Sequence, residues 1–176
     1  MTKVLHYLNQ FFAGIGGEEK AGHGVLFMPH AVGIGTAIEA SLKHLGVEYA
    51  TLACGDNYFH EQEEQAQQAM RAAIDQFQPD FFLAGPAFNA GRYGIACAKA
   101  CSWVRDNWHI PAITGMDENN PGTQEIGRQV FAVQTGASTA AMAEAAKRFA
   151  ALLELLVAQD PAGAEAFRAE YCLPIP

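Results

Sequence analysis

Five short apolar runs separated by longer segments of helical periodicity constrain this chain more than any other feature. Val4 to Leu8, Tyr49 to Ala53, Phe81 to Ala84, Ala112 to Thr114 and Val130 to Gln134 are too short for helices and lack a regular polar alternation, as expected of strands covered on both faces. Between them, Ile34 to Leu45, Glu61 to Phe77, Gly91 to Trp108 and Ser138 to Val157 read as helices. Buried strands that alternate with amphipathic helices predict an α/β fold: a doubly wound, mostly parallel sheet with helices on both faces, a three-layer sandwich joined by right-handed crossovers.

With 176 residues, half of them hydrophobic, the chain has material for one sizeable core and not for two. Residues 1–158 are expected to form a Rossmann-like or flavodoxin-like domain. Residues 159–176 are expected to form a C-terminal tail that packs on the domain or on a partner: Asp160-Pro161-Ala162-Gly163 interrupts the helical pattern, and Pro174 and Pro176 stop any later helix. The net charge of −8 argues against nucleic acid and anionic membranes as partners, since both select basic surfaces. Met1 to Tyr7 passes into a strand-like run without an apolar leader, and no segment approaches 18 uninterrupted apolar residues, so a cytoplasmic location is expected. In that compartment the four cysteines, Cys54, Cys97, Cys101 and Cys172, are read as reduced thiols. Cys97 and Cys101 share one helix face and would suit a redox pair or metal ligands, but their alanine-rich surroundings favour a role as small core hydrophobes.

In a wound sheet, ligands bind where strands end and turn toward helices. The polar and glycine residues concentrate in four such loops: Asn9 to Lys20, Cys54 to His60, Gly85 to Tyr93 and Gly115 to Gly122. In the third, Gly85 and Gly91 permit close backbone approach, Pro86 stiffens the turn, and Asn89 and Arg92 can grip a small carboxylate or amide. The first loop lacks the lysine and hydroxyl of a phosphate loop and the spacing of a dinucleotide fingerprint; Glu18 and Glu19 suit an amine, or form a solvated charge pair. In the second, Asp56 or Asn57 can cap the following helix, while Cys54, Asp56 and His60 together could make a nucleophile and base. The six histidines show no metal-motif spacing, and no metal site is expected. The candidate substrate-binding residues are Asn9, Glu18, Asp56, Asn57, Asn89, Arg92, Tyr93, Thr114, Met116 and Asn119, with Cys54 as the candidate catalytic thiol.

Taken together, Val4 to Phe12 with Gly16-Gly17-Glu18-Glu19-Lys20, Cys54-Gly55-Asp56-Asn57-Tyr58-Phe59, Ala84 to Gly94, and Thr114-Gly115-Met116 resemble, in order and loop position, the selenoprotein subunit of component B of the glycine, sarcosine and betaine reductases. The blocks span residues 4 to 122, with weaker likeness to Val157. The resemblance implies reductive cleavage of a carbon–nitrogen bond in a small amino acid or N-methylated amine in anaerobes. It also implies companion reductase subunits, in a hetero-oligomer or homodimer, with thioredoxin supplying electrons. The family's selenocysteine lies in its C-terminal half, beyond the matching blocks, and none of the four cysteines here stands in its motif. No cofactor is therefore expected in this chain, and the selenocysteine and a pyruvoyl group are expected on partner chains. The chain reads as the N-terminal half of a split enzyme, or as a shortened paralogue with changed chemistry. Two rival readings are a non-catalytic binding or scaffold subunit, anchored to a partner through Phe59, Phe88 and Tyr93, and a free-standing enzyme that uses Cys54.

Overall fold

The computed structural model describes residues 1–175. Six strands form one sheet: β1 (Lys3–Asn9), β2 (Leu26–Met28), β3 (Glu48–Cys54), β4 (Phe81–Ala84), β5 (Ala112–Met116) and β6 (Phe131–Gln134), in the order β2-β3-β1-β4-β5-β6. Every pairing is parallel except that of β2, which runs antiparallel to β3 with Leu26 opposite Ala53. The five expected strands and the doubly wound architecture are present. β2 was not foreseen: three residues carry too little pattern to register as a strand, and it forms because the free edge of β3 offers unpaired backbone groups.

Side chains alternate across each strand. Leu5, Tyr7, Phe82, Ala84 and Ala112 face a core built with helices α2 (Asp56–Glu61), α3 (Glu63–Phe77) and α4 (Gly91–Trp108). Val4, Leu83, Ile113, Phe131 and Val133 face the opposite core, closed by α1 (Ile34–Ser41), α5 (Met142–Val157) and α6 (Pro161–Tyr171). The helix expected from Glu61 starts earlier, at Asp56, and breaks at Gln62, whose φ of −127° and ψ of 45° are not helical. The helix expected to reach Leu45 ends at Ser41 and tightens into a 3₁₀ turn, Lys43–Leu45, before Gly46.

The clearest departure from expectation is α6. Asp160-Pro161 was read as a break, yet it opens a helix: the Asp160 carboxylate accepts a hydrogen bond from the Gly163 N–H at 2.9 Å, and Pro161 occupies the first turn, where its missing N–H costs nothing. Beyond it Leu173 N–H donates to Ala132 O at 2.7 Å, so the chain runs beside the edge of β6. The expected tail extends to Pro176, which lies outside the described residues.

Leaving aside the antiparallel β2, the chain moves from β1 to β3 on one side and then to β4 on the other. That reversal is the topological switch point, where the diverging connections leave a crevice at the carboxyl ends of β1 and β4.

Candidate functional site

The floor of the crevice is set by a buried histidine. His6 is fully buried in β1; its Nε2 lies 2.7 Å from the Gly85 carbonyl, and its Nδ1 lies 2.7 Å from the Tyr49 hydroxyl. A carbonyl only accepts, so Nε2 carries the proton and Nδ1 accepts from tyrosine. Burial lowers the imidazole from 6.5 to about 4, which keeps it neutral at physiological pH. The contact holds Gly85 at φ +97°, a conformation that a residue with a Cβ adopts only under strain, and so aims the third loop.

Above it sits a group that joins the first two loops. Asn9 and Asp56 are 4% and 5% exposed. Asn9 Nδ2 donates to Asp56 Oδ2 at 3.1 Å, and Asn9 Oδ1 accepts from Phe12 N–H at 2.8 Å. Gln10 Oε1 accepts from Asp56 N–H at 3.0 Å. The other Asp56 oxygen, Oδ1, has no hydrogen-bond partner among the described residues, nor do the hydroxyls of the fully buried Tyr7 and Tyr93. Burial raises the Asp56 carboxyl above the usual carboxylate range, and the Asn9 hydrogen bond and Arg92 oppose the rise. Phe12 stacks on Tyr93 with ring centroids 5.6 Å apart. The two loops touch closely at Gly55, where a Cβ would stand 2.2 Å from Ala21 O.

The rim is a charged clasp. Arg92, in the first turn of α4, donates through Nη2 to Glu18 at 2.7 Å and through Nη1 to the Asn57 side-chain oxygen. Glu18, held on the 3₁₀ turn Glu18–Lys20, is drawn below the usual carboxylate range by the Arg92 hydrogen bond. His60 Nε2 donates to Arg92 O at 3.0 Å. Asn9, Glu18, Asp56, Asn57, Arg92 and Tyr93 thus converge from three loops. The fourth loop is tied in by backbone: Asp117 N–H donates to Phe88 O, and the buried Asn120 Nδ2 donates to Phe88 O and Ala90 O at 3.0 and 3.1 Å. Asn89 and Asn119 are exposed there, whereas Thr114 and Met116 are fully buried in β5. Thr114 Oγ1 is spent on Ala84 O at 2.9 Å.

Tyr7, Gln10, Phe12 and Asn120 belong to this region although the sequence reading passed over them. Gln10 and Phe12 lie in the first polar loop, one and three residues past Asn9, and Asn120 lies in the fourth, which were the signals available. The Cys54 thiol is fully buried and pushed up to about 12 by burial. It is protonated and shielded at neutral pH, the opposite of an activated nucleophile. Phe59, Phe88 and Tyr93, read as partner anchors, are buried to 2% or less; their rings fill the core, and Phe11, 61% exposed, is the aromatic that faces outward.

A mostly parallel sheet with a cluster of hydrogen-bonded polar residues at its switch point defines a doubly wound α/β domain. The chain belongs to the glycine/sarcosine/betaine reductase selenoprotein B family: the family model described as Glycine/sarcosine/betaine reductase selenoprotein B (GRDB) matches residues 1–172. It is 46% identical over 160 residues to the glycine reductase complex component B subunit gamma of Symbiobacterium thermophilum, covering 90% of this chain and 37% of that protein. It is 42% identical over 151 residues to the sarcosine reductase complex component B subunit beta of Peptoclostridium acidaminophilum (86% and 35% covered), and 32% identical over 163 residues to the betaine reductase complex component B subunit beta of the same organism (93% and 37% covered). The chain spans just over a third of the length of these relatives. No solved structure matches it. No helix among the described residues is long and apolar enough to cross a membrane.

Proposed function

We propose that this chain serves a glycine/sarcosine/betaine reductase complex by binding a small amino acid or N-methylated amine for reductive C–N cleavage, with the selenol or thiol nucleophile and the pyruvoyl group supplied by other polypeptides. The observation that carries the reading is Asp56 Oδ1, a buried carboxylate oxygen without a partner among the described residues, close enough to Arg92 to feel its charge. An unpaired buried polar group costs about 1–3 kcal/mol, which a substrate ammonium would relieve. The half-buried ring of Phe12, backed by Tyr93, suits an N-methylated cation, and Arg92 offers a carboxylate its guanidinium donors once Glu18, itself 69% exposed, swings away. Buried, protonated thiols at Cys54, Cys97 and Cys101 support a nucleophile from elsewhere.

The test is calorimetric titration of the assembled complex with glycine, sarcosine and betaine. Asp56→Asn and Arg92→Lys are expected to weaken binding of the matching substrate by roughly tenfold each while the unfolding midpoint holds; undiminished binding in both would overturn the reading. A second reading, a scaffold subunit that docks through the same rim, is favoured by the exposed ring of Phe11. It predicts that Phe11→Ser impairs assembly and leaves substrate affinity of the assembled fraction unchanged.

A further inference from the structure

The opposite end of the sheet carries a second constructed surface. Where α4 runs out before β5 and the chain turns into β6, Ser102, Arg105, His109, Arg128 and Gln129 line a cavity of about 410 Å³. A second cavity of about 420 Å³ shares Arg105, His109 and Gln129 with it and adds Arg168 of α6. A third, of about 350 Å³, shares Arg128 and Arg168 and continues along Leu173 to Ile175. The shared lining residues place the three cavities side by side, from the end of α4 to the chain beyond α6.

Its charge runs against the rest of the molecule. The chain carries −8 overall, yet three arginines meet here. Arg168 is occupied: it pairs with Glu165 at 3.2 Å, donates to Val130 O at 3.0 Å and lies 3.9 Å over the Phe131 ring. Arg105 reaches only His109 Nδ1, at 3.4 Å. Arg128 has no hydrogen bond, and neither Arg105 nor Arg128 has an ion-pair partner among the described residues; Asp106 is the one other carboxylate in the lining besides Glu165. Two free guanidinium groups over one trough match carboxylates spaced along an extended backbone. An acidic partner is repelled by most of this surface, so the groove selects where and in what orientation it docks.

We propose that this groove docks an extended acidic segment of a companion polypeptide, independently of the crevice at the other end of the sheet. The test uses the full chain and a fluorescein-labelled ten-residue peptide alternating glutamate and serine, read by fluorescence anisotropy in low salt. The double variant Arg105→Glu/Arg128→Glu is expected to weaken binding roughly tenfold or more, and Arg128→Ala by a few-fold. Added salt should release the peptide, a lysine–serine peptide should not bind, and Arg92→Lys should leave binding unchanged. Arg128 makes no hydrogen bond or ion pair among the described residues, so its removal reports on docking rather than folding. Equal binding of wild type and both variants overturns the proposal, as does absence of binding. Displacement of the peptide by an equal concentration of citrate also overturns it, and marks a small-anion site instead.

Discussion

Acid should loosen this domain through His6, in a pH window set by the burial of its ring. In the folded chain the imidazole is fully enclosed, with Nε2–H on Gly85 O and Nδ1 on the Tyr49 hydroxyl. Burial holds it at about 4, against 6.5 for a solvated histidine. Between those values the unfolded chain takes up a proton that the folded chain refuses, so protonation favours unfolding. The contribution is fully present above pH 6.5 and is lost as the pH falls toward 4. At about 1.4 kcal/mol per pH unit the loss reaches ~3 kcal/mol, of which about 2 kcal/mol is gone by pH 5. Asp56 acts in the opposite sense: burial raises its carboxyl, so the folded state accepts a proton more readily and gains from acid. A variant isolates the two. Urea unfolding, followed by the fluorescence of Trp103 and Trp108 at pH 7 and pH 5, should show wild type losing about 2 kcal/mol more than His6→Gln over that interval. The variant starts less stable because a flexible amide does not reproduce the ring's paired contacts to Gly85 O and the Tyr49 hydroxyl, but its pH dependence should be flatter. Parallel losses in both proteins would refute the assignment of a neutral, doubly bonded His6.

Loop packing, thiol burial and helix capping can each be probed in the same way. Gly55→Ala places a methyl 2.2 Å from Ala21 O, so it should cost about 1–3 kcal/mol in chemical unfolding and release the first loop to limited proteolysis; an unchanged cleavage pattern would count against that packing. Mild alkylation of the native protein near neutral pH should modify Cys172 first, because it is half-buried while the other three thiols are enclosed, and peptide mass spectrometry that found Cys54 reacting faster would restore it as a nucleophile. Asp160→Ala removes the cap on Gly163 N–H and should lower stability by about 1 kcal/mol, measured as a shift in the urea midpoint at constant slope.

Much of the site was legible because its residues sit where a periodic pattern stops. Asn9 ends β1, Asp56 lies two residues past β3, and Arg92 opens the helix that follows β4; strand ends in a wound sheet point one way, so their convergence followed from topology. The direction of the Cys54 side chain was not legible: local closeness to Asp56 and His60 says nothing about whether a side chain points into the crevice or into the core, and Cys54 belongs to the core beneath α2. Phe59, Phe88 and Tyr93 were misread as surface anchors on the same ground.

What the amino-acid order determined by itself was the alternation of buried strands and helices, the sheet built from it, and the four polar loops at one rim, since these depend on periodicity and turn chemistry between near neighbours. Only the tertiary structure decided the pairing of Glu18 with Arg92, the lodging of Asn9 against Asp56, the neutral state of His6, and the meeting of Arg105, Arg128 and Arg168 at the far end. Each of these joins residues tens of positions apart or depends on desolvation by the whole fold, and neither distance in space nor the absence of water is encoded in any local stretch of chain.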